Sequence, residues 1–351
     1  MVIDNNQIIF STVGAEALVT TQEDLRFYLT GFSSSFGVVI TDKNGTVFYT
    51  DKRYLEAAEK SLRSKDIAVG EYPRGIKLHE LLAKYNTVGM PMDRLTAKEY
   101  LALTESGLKL VDSTSAFVKA MSVKSAREIE NIALACKATD KAFTALLPQI
   151  KEGMSENEVA ALLEYLMRKE GASGTSFDTI CAFGENGSVP HHETGNRKLK
   201  FGDIVLIDFG CKVNGYCSDC TRTFLFGDDK KHGHFKDLYN KVLTAHMLVK
   251  ENFTSGMKGK EGDAIARDFL AKYDLAKYFT HSLGHSLGVN IHESPNLSPS
   301  DENVFGDGMV FSDEPGVYIA GELGIRIEDT VTLKNGKVVS LTDSDKNLLI
   351  L

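Results

Sequence analysis

Two aspartates, Asp208 and Asp219, flank an Asn-Gly pair in IVLIDFGCKVNGYCSDCTRTF, residues 204 to 224, a stretch that otherwise alternates like a half-buried hairpin. With Asn214-Gly215 as a two-residue turn, Asp208 falls opposite Thr221, and Asp219 lies two residues from Thr221. Side chains alternate faces, so both carboxylates project from one face as diagonal neighbours, roughly 7 Å apart at Cα. Carboxylates that close repel. They can share a proton, hold a cation between them, or both lie in water. The apolar Val205-Leu206-Ile207 run beside Asp208 weighs against the last. Further along, FTHSLGHSLGVNIHES offers His281, His285 and His292, GMVFSDEPGVYI offers Glu314, and GIRIEDTVTL offers Glu328. Each alone is a weak signal, since strand glutamates usually face solvent and histidines beside glycine are usually loop residues. Together they place four carboxylates and one or more imidazoles at strand or turn positions, a donor set suited to a divalent cation.

The elements that must position these residues are legible nearby. Ser125 with Glu128, and Ser155 with Glu158, are capping-box pairs that start helices. After the first, Ile129, Ile132, Cys136, Thr139, Phe143 and Leu146 recur at steps of three and four. After the second, Val159, Leu162, Leu163 and Leu166 do the same, and Gly171 ends the run. EGMSENEVAALLEYLMRKEG and SGMKGKEGDAIARDFLAKYD both read as a Gly-Met turn followed by an amphipathic helix, a faint repeat implying two related α/β halves. Before residue 119 the chain reads as a smaller α/β unit, with FGVVITDKNGTVFYTD as two strands around Asn44-Gly45. That unit gathers no catalytic side chains.

The order Asp, Asp, His, Glu, Glu, each within IDFG, SDCTR, SLGHSLG, EPGVY and RIED, resembles the pita-bread-fold metallopeptidases: Xaa-Pro aminopeptidases, prolidases, methionine aminopeptidases and creatinases. The likeness covers most of residues 119–351. It implies an α/β (α+β) fold with a pita-bread catalytic domain, 119–351, of two pseudo-twofold halves. A creatinase-like N-terminal domain, 1–118, precedes it, since DLRFYLTGF and YTDKRYLEAAEK resemble the non-catalytic domain of Xaa-Pro peptidases. The resemblance further implies Asp208, Asp219, His285, Glu314 and Glu328 as ligands of two divalent ions sharing a hydroxide. Mn²⁺ suits mostly oxygen donors, with Co²⁺ or Zn²⁺ as substitutes. Glu314 would also be general base. His191 in GENGSVPHHETGN and His292 would assist catalysis, and His191, His281, His292 and Arg326 would contact substrate. His192 reads as a solvated loop residue, and His79, His232, His234 and His246 match no motif.

Three departures bear on specificity. Ser286 stands where a glycine is common, Asp313 adds a charge in SDEPG where TIEPG is common, and HESPN carries Asn296 where dipeptide-cleaving relatives carry an arginine. Without that cation, selection for a dipeptide's free carboxylate should weaken. The expected activity is therefore an Xaa-Pro aminopeptidase acting on peptides with proline second, with an Xaa-Pro dipeptidase (prolidase) as the alternative. An inactive peptide-binding relative and a creatinase-type hydrolase are disfavoured because all five ligand positions survive. Cys217-x-x-Cys220 suggests redox or zinc chemistry only weakly, because such motifs usually open a helix. A net charge of −8 argues against nucleic acid as main partner, and no apolar run is long enough for a membrane span. MVIDNNQIIF lacks signal-peptide blocks and the cysteine count is odd, five, giving an expectation of a cytoplasmic protein with free thiols. By analogy with relatives, a homodimer is expected.

Overall fold

The computed structural model describes residues 5–227 and 232–351. Contacts divide the chain into two compact units, one ending at Met121 and the other Ser122–Leu351. The first is built on a six-stranded mixed sheet. Its strands, in order across the sheet, are Ile67–Glu71, Gly45–Thr50, Val38–Asp42, Ala17–Thr20, Thr87–Met90 and Lys109–Asp112. Its hairpin turns one residue earlier than the Asn-Gly pair suggested. Asp42 pairs with Gly45, so Lys43-Asn44 is the loop, and Gly45 opens the returning strand with φ 128°, a value that favours glycine.

The second unit has two halves, each with a pair of helices. Ser125 caps Ala126–Leu146 and Ser155 caps Glu156–Lys169, each through a complete capping box. The predicted stripe of the first helix is buried at Ile132, Cys136, Thr139, Phe143 and Leu146, with Ile129 partly covered. Gly233–Asn252 and Gly259–Ala271 are the helix pair of the other half. The faint sequence repeat is structural. Gly153 N–H donates to Leu199 O and Leu199 N–H to Met154 O; Gly256 N–H donates to Phe305 O and Phe305 N–H to Met257 O. Met154 and Met257 even turn their sulfurs onto equivalent amides, those of Lys151 and Thr254. Each half has its own apolar core, one around Phe143, Leu163 and Phe209, the other around Val242, Phe253 and Phe311.

The halves meet along a seam between the strand Cys220–Phe226 and residues 323–330. Thr223 Oγ1 donates to Arg326 O, Glu328 N–H donates to Thr221 O, and Asp219 N–H donates to Thr330 Oγ1. Among the described residues, no helix is long and apolar enough to cross a membrane.

Candidate metal centre and active site

The hairpin register holds. Asp208 pairs with Thr221, and Asn214 and Gly215 both have positive φ, 51° and 81°. The hairpin is not one continuous ladder, however. Asp203–Phe209 pairs with Cys220–Phe226, Cys211–Val213 pairs with Tyr216–Cys217, and the two ladders belong to separate sheets. The break falls at Gly210, where an added Cβ would lie 2.0 Å from Ser218 O, so only glycine allows the two strands to cross there. Asp219 sits in this break, freed from the ladder, and its carboxylate turns towards Asp208.

Glu328, in the two-residue link between the strands Leu323–Arg326 and Asp329–Lys334, completes a trio. Carboxylate oxygens of Asp208, Asp219 and Glu328 all lie within 4.8 Å of one another. His285 Nε2 is 3.5 Å from an oxygen of Asp219 and 3.5 Å from one of Glu314. Its Nδ1 lies 3.2 Å from Ser286 O, which holds the proton on Nδ1 and leaves Nε2 with a free lone pair. Ser312 Oγ donates to Glu314, and Thr221 Oγ1 donates to Glu328 at 2.6 Å. All five residues singled out as ligands in the sequence therefore converge.

The electrostatics fit a cation. Burial, then Glu328, Asp208 and Glu314, push the Asp219 carboxyl well above its ordinary range. Burial and the neighbouring carboxylates do the same to Glu328, and burial raises Glu314 to about 8 despite Arg326 nearby. Burial and His292 hold His285 neutral, down to about 4. One buried oxygen of Asp208, Oδ1, has no hydrogen-bond partner. Crowded carboxylates, a bare imidazole nitrogen and an orphaned oxygen together are what a divalent ion would satisfy.

The cluster opens into a cavity of about 990 Å³ whose walls include His191, His281, His292, Asn296 and Arg326. His191 and His292 are exposed on its wall, and the His292 ring packs edge-on against His285 at 4.4 Å. Arg326 and His281 are more committed. Arg326 donates to Asp208 at 2.6 Å, Tyr318 Oη at 2.6 Å, Thr221 Oγ1 and Pro190 O. Since Tyr318 Oη accepts from arginine, it donates its own proton to His281 Nε2 at 2.9 Å, while His281 Nδ1 donates to Ser282 O. Burial and Arg326 keep this ring neutral, down to about 3. Both its nitrogens are thus used within the protein.

Three residues carry roles that sequence reading missed. His192 is not a solvated loop residue: its Nε2 lies 3.0 Å from Glu156, a fully buried carboxylate. Glu156 also accepts from Phe183 N–H, Asn186 Nδ2 and Gly195 N–H, and so ties down the loop that carries His191. Its neighbour Glu158 drew attention as the capping partner; a second glutamate in SENE was the available signal. His246, which matched no motif, is fully buried between Asp313 Oδ2 at 3.0 Å and Asp329 Oδ2 at 3.4 Å. Burial alone would lower its pKa, but the two aspartates raise it to about 9. A histidine on the apolar stripe of Gly233–Asn252, beside the surplus Asp313, was the clue. The cysteines are all free and buried, and burial raises the thiols of Cys217 and Cys220. Buried thiols of this kind are inert.

Comparison with known proteins identifies the family. Residues 130–335 match the model for metallopeptidase family M24, and residues 3–128 match that for the creatinase/prolidase N-terminal domain. An Xaa-Pro dipeptidase of Pyrococcus furiosus is 35% identical over 92% of this chain and 92% of its own length. Among solved structures, an Xaa-Pro dipeptidase from Bacillus anthracis matches with a TM-score of 0.92 at 34% identity, covering 99% of each chain. An X-Pro aminopeptidase from Thermotoga maritima MSB8 matches with a TM-score of 0.90 at 30% identity, covering 98% of this chain and 100% of its own. With two such family matches and relatives aligned from end to end, the chain belongs to metallopeptidase family M24 and is a metallopeptidase.

Proposed function

We propose that this chain is an Xaa-Pro aminopeptidase that releases the first residue of peptides with proline second, using two divalent ions, Mn²⁺ by preference. Asp208, Asp219, His285, Glu314 and Glu328 would hold the ions. Bound there, such ions would supply an acidified water and polarise the scissile carbonyl. Glu314, its carboxylate ionised once the ions are bound, would accept the proton released in the attack. His191 and His292, exposed on the cavity wall near the ligands, donate to the carbonyl oxygen and to the leaving proline nitrogen. Arg326 and His281 act through others: Arg326 orients Asp208, and His281 locks Tyr318 and Arg326 in place. An Xaa-Pro bond has no N–H and carries a rigid ring on its leaving side, so carbonyl activation and a shaped pocket suit it better than backbone recognition.

The observation that carries the choice of aminopeptidase is the charge of the cavity wall. Among the described residues lining it, Arg326 is the sole arginine or lysine, and its donors are committed to Asp208, Tyr318, Thr221 and Pro190. Asn296 is exposed on that wall. A dipeptide's carboxylate would meet no free cation there. The second reading, an Xaa-Pro dipeptidase, is favoured by the names of the Pyrococcus and Bacillus relatives. Comparing kcat/KM on Xaa-Pro and Xaa-Pro-Xaa substrates decides between them, with the tripeptide expected to be preferred. Asn296→Arg should raise kcat/KM for the dipeptide about tenfold or more, the worth of a charge-assisted hydrogen bond. A wild-type preference for dipeptides would refute the aminopeptidase reading. The proposal includes a homodimer, which light scattering of the purified protein tests.

A further inference from the structure

Asp313, the surplus carboxylate in SDEPG, ends the strand Val310–Asp313 and pairs with Asp329, which begins the strand Asp329–Lys334. Each is the immediate neighbour of a residue read above as a metal ligand: Glu314 follows Asp313, and Glu328 precedes Asp329. Adjacent residues of extended chain face opposite ways. The ligands turn to the cavity, and the two aspartates turn to the helix Gly233–Asn252 behind it. Like charges directly opposite on a ladder push the strands apart. Asp329 has partners besides His246: Arg222 donates to it at 2.8 Å, Lys346 lies 2.9 Å away, and Ser340 Oγ donates at 2.9 Å. Asp313 is not so placed. Both its oxygens are buried without a hydrogen bond, and His246 at 3.0 Å is the cation that meets it among the described residues. The ring lies between the two carboxylates, one nitrogen towards each, on a helix anchored by Val242, Ala245 and Val249.

We infer that His246 is a positioning residue of the metal site: by bridging Asp313 and Asp329 it fixes the spacing of the two strand ends from which Glu314 and Glu328 reach the ions. The inference rests on the reading of Glu314 and Glu328 as ligands. It makes the charge added by Asp313 half of a matched pair rather than a change to the ligand set. Outer partners that orient metal ligands typically contribute 10–100-fold to affinity or activity.

The test uses the full chain and its variants His246→Gln, Asp313→Asn, His246→Gln/Asp313→Asn and Glu328→Gln. Each is titrated with MnCl₂ by calorimetry and assayed on an Xaa-Pro-Xaa peptide. His246→Gln should weaken Mn²⁺ binding and lower kcat by about tenfold or more, the range of orienting partners, with KM little changed because the cavity wall is untouched. Adding Asp313→Asn removes the uncompensated charge and should restore both to within about threefold, the signature of a coupled pair. Unchanged Mn²⁺ affinity and kcat in His246→Gln would overturn the inference, as would a double variant no better than the single one. Where His246→Gln does not fold, the double variant decides: folded and binding Mn²⁺ near the wild-type affinity supports the inference, and folded without that affinity overturns it. Glu328→Gln separates the premise from the inference. Full Mn²⁺ affinity in that variant refutes the ligand reading, and the inference falls with it. Lost affinity there with none lost in His246→Gln refutes the inference alone.

Discussion

Glu328 and Asp329 are neighbours in the chain and equally buried, yet their surroundings drive them in opposite directions. On the cavity side, burial and the nearby carboxylates push Glu328 well above its ordinary pKa, with Arg326 too committed to reverse the effect. On the helix side, burial would also raise Asp329, but His246, Arg222 and Lys346 pull it well below. Both faces of these strands carry buried acidic clusters. One brings its own cations: Arg222, Lys346 and His246 surround Asp329, and His246 also meets Asp313. The other has Arg326 on Asp208 alone, and its remaining carboxylates stay crowded, as the proposed metal site requires. Buried carboxylates therefore mark a site only when their compensation is missing, and the hydrogen-bond partners, rather than the acidity of the sequence, tell the two apart.

This contrast breaks most sharply under Glu328→Gln. Peptidase activity should fall by more than about 10³-fold, beyond the 10–100-fold expected of outer partners. The metal-free protein should nevertheless melt at a higher temperature than wild type, because one of the repelling carboxylates is gone. A lower melting temperature would mean that the cavity cluster is self-compensated like the helix-side one. Arg222→Ala tests the other face. Arg222 is fully buried and donates to Asp329, to the backbone oxygen of Glu328 and to Ser344 O. Its loss should cost about 3 kcal/mol or more in urea unfolding of the metal-free protein, the usual penalty for stranding a buried charge. A change within experimental scatter would remove the claim that this face is held by its own cations.

Taken per pH unit, the smallest effect expected is the response to pH, about 1.4 kcal/mol for one proton, and it sharpens the comparison. Glu314 keeps its proton to about 8 in the metal-free fold, against an ordinary value of 4.5. Between those values the unfolded chain binds fewer protons than the folded one, so the stability of the metal-free protein falls as pH rises through the window. Metal removes that penalty. The gap in melting temperature between Mn²⁺-loaded and metal-free protein should widen from pH about 4.5 to about 8, with apparent affinity rising by up to about tenfold per pH unit for each proton displaced. His285, already neutral above about 4, adds little over this range. A gap that stays constant with pH would show that the ligands carry no displaced protons.

Much of this was readable before any coordinates. The capping boxes at Ser125 and Ser155 signal helix starts through local hydrogen bonding alone. The Asn214-Gly215 turn sets the register that pairs Asp208 with Thr221, because a two-residue turn leaves no slack. The five ligand candidates stand out because each sits within a short local motif. Less legible was the break at Gly210, since it depends on how closely Ser218 crosses it. Glu156 escaped notice, and His192 was misread as a solvated loop residue, because the partners of Glu156 are scattered through residues 183–195.

By itself, then, the sequence determines which residues are candidates for metal, where the helices of the catalytic unit begin and how the central hairpin pairs, all matters of local spacing and backbone preference. Only the tertiary structure decides which buried charges have partners. Asp219 and Asp329 are equally plausible ligands as letters in a chain. Packing brings Arg222, His246 and Lys346 to one and leaves the other among carboxylates, and electrostatic compensation acts through space, between residues up to a hundred or more positions apart.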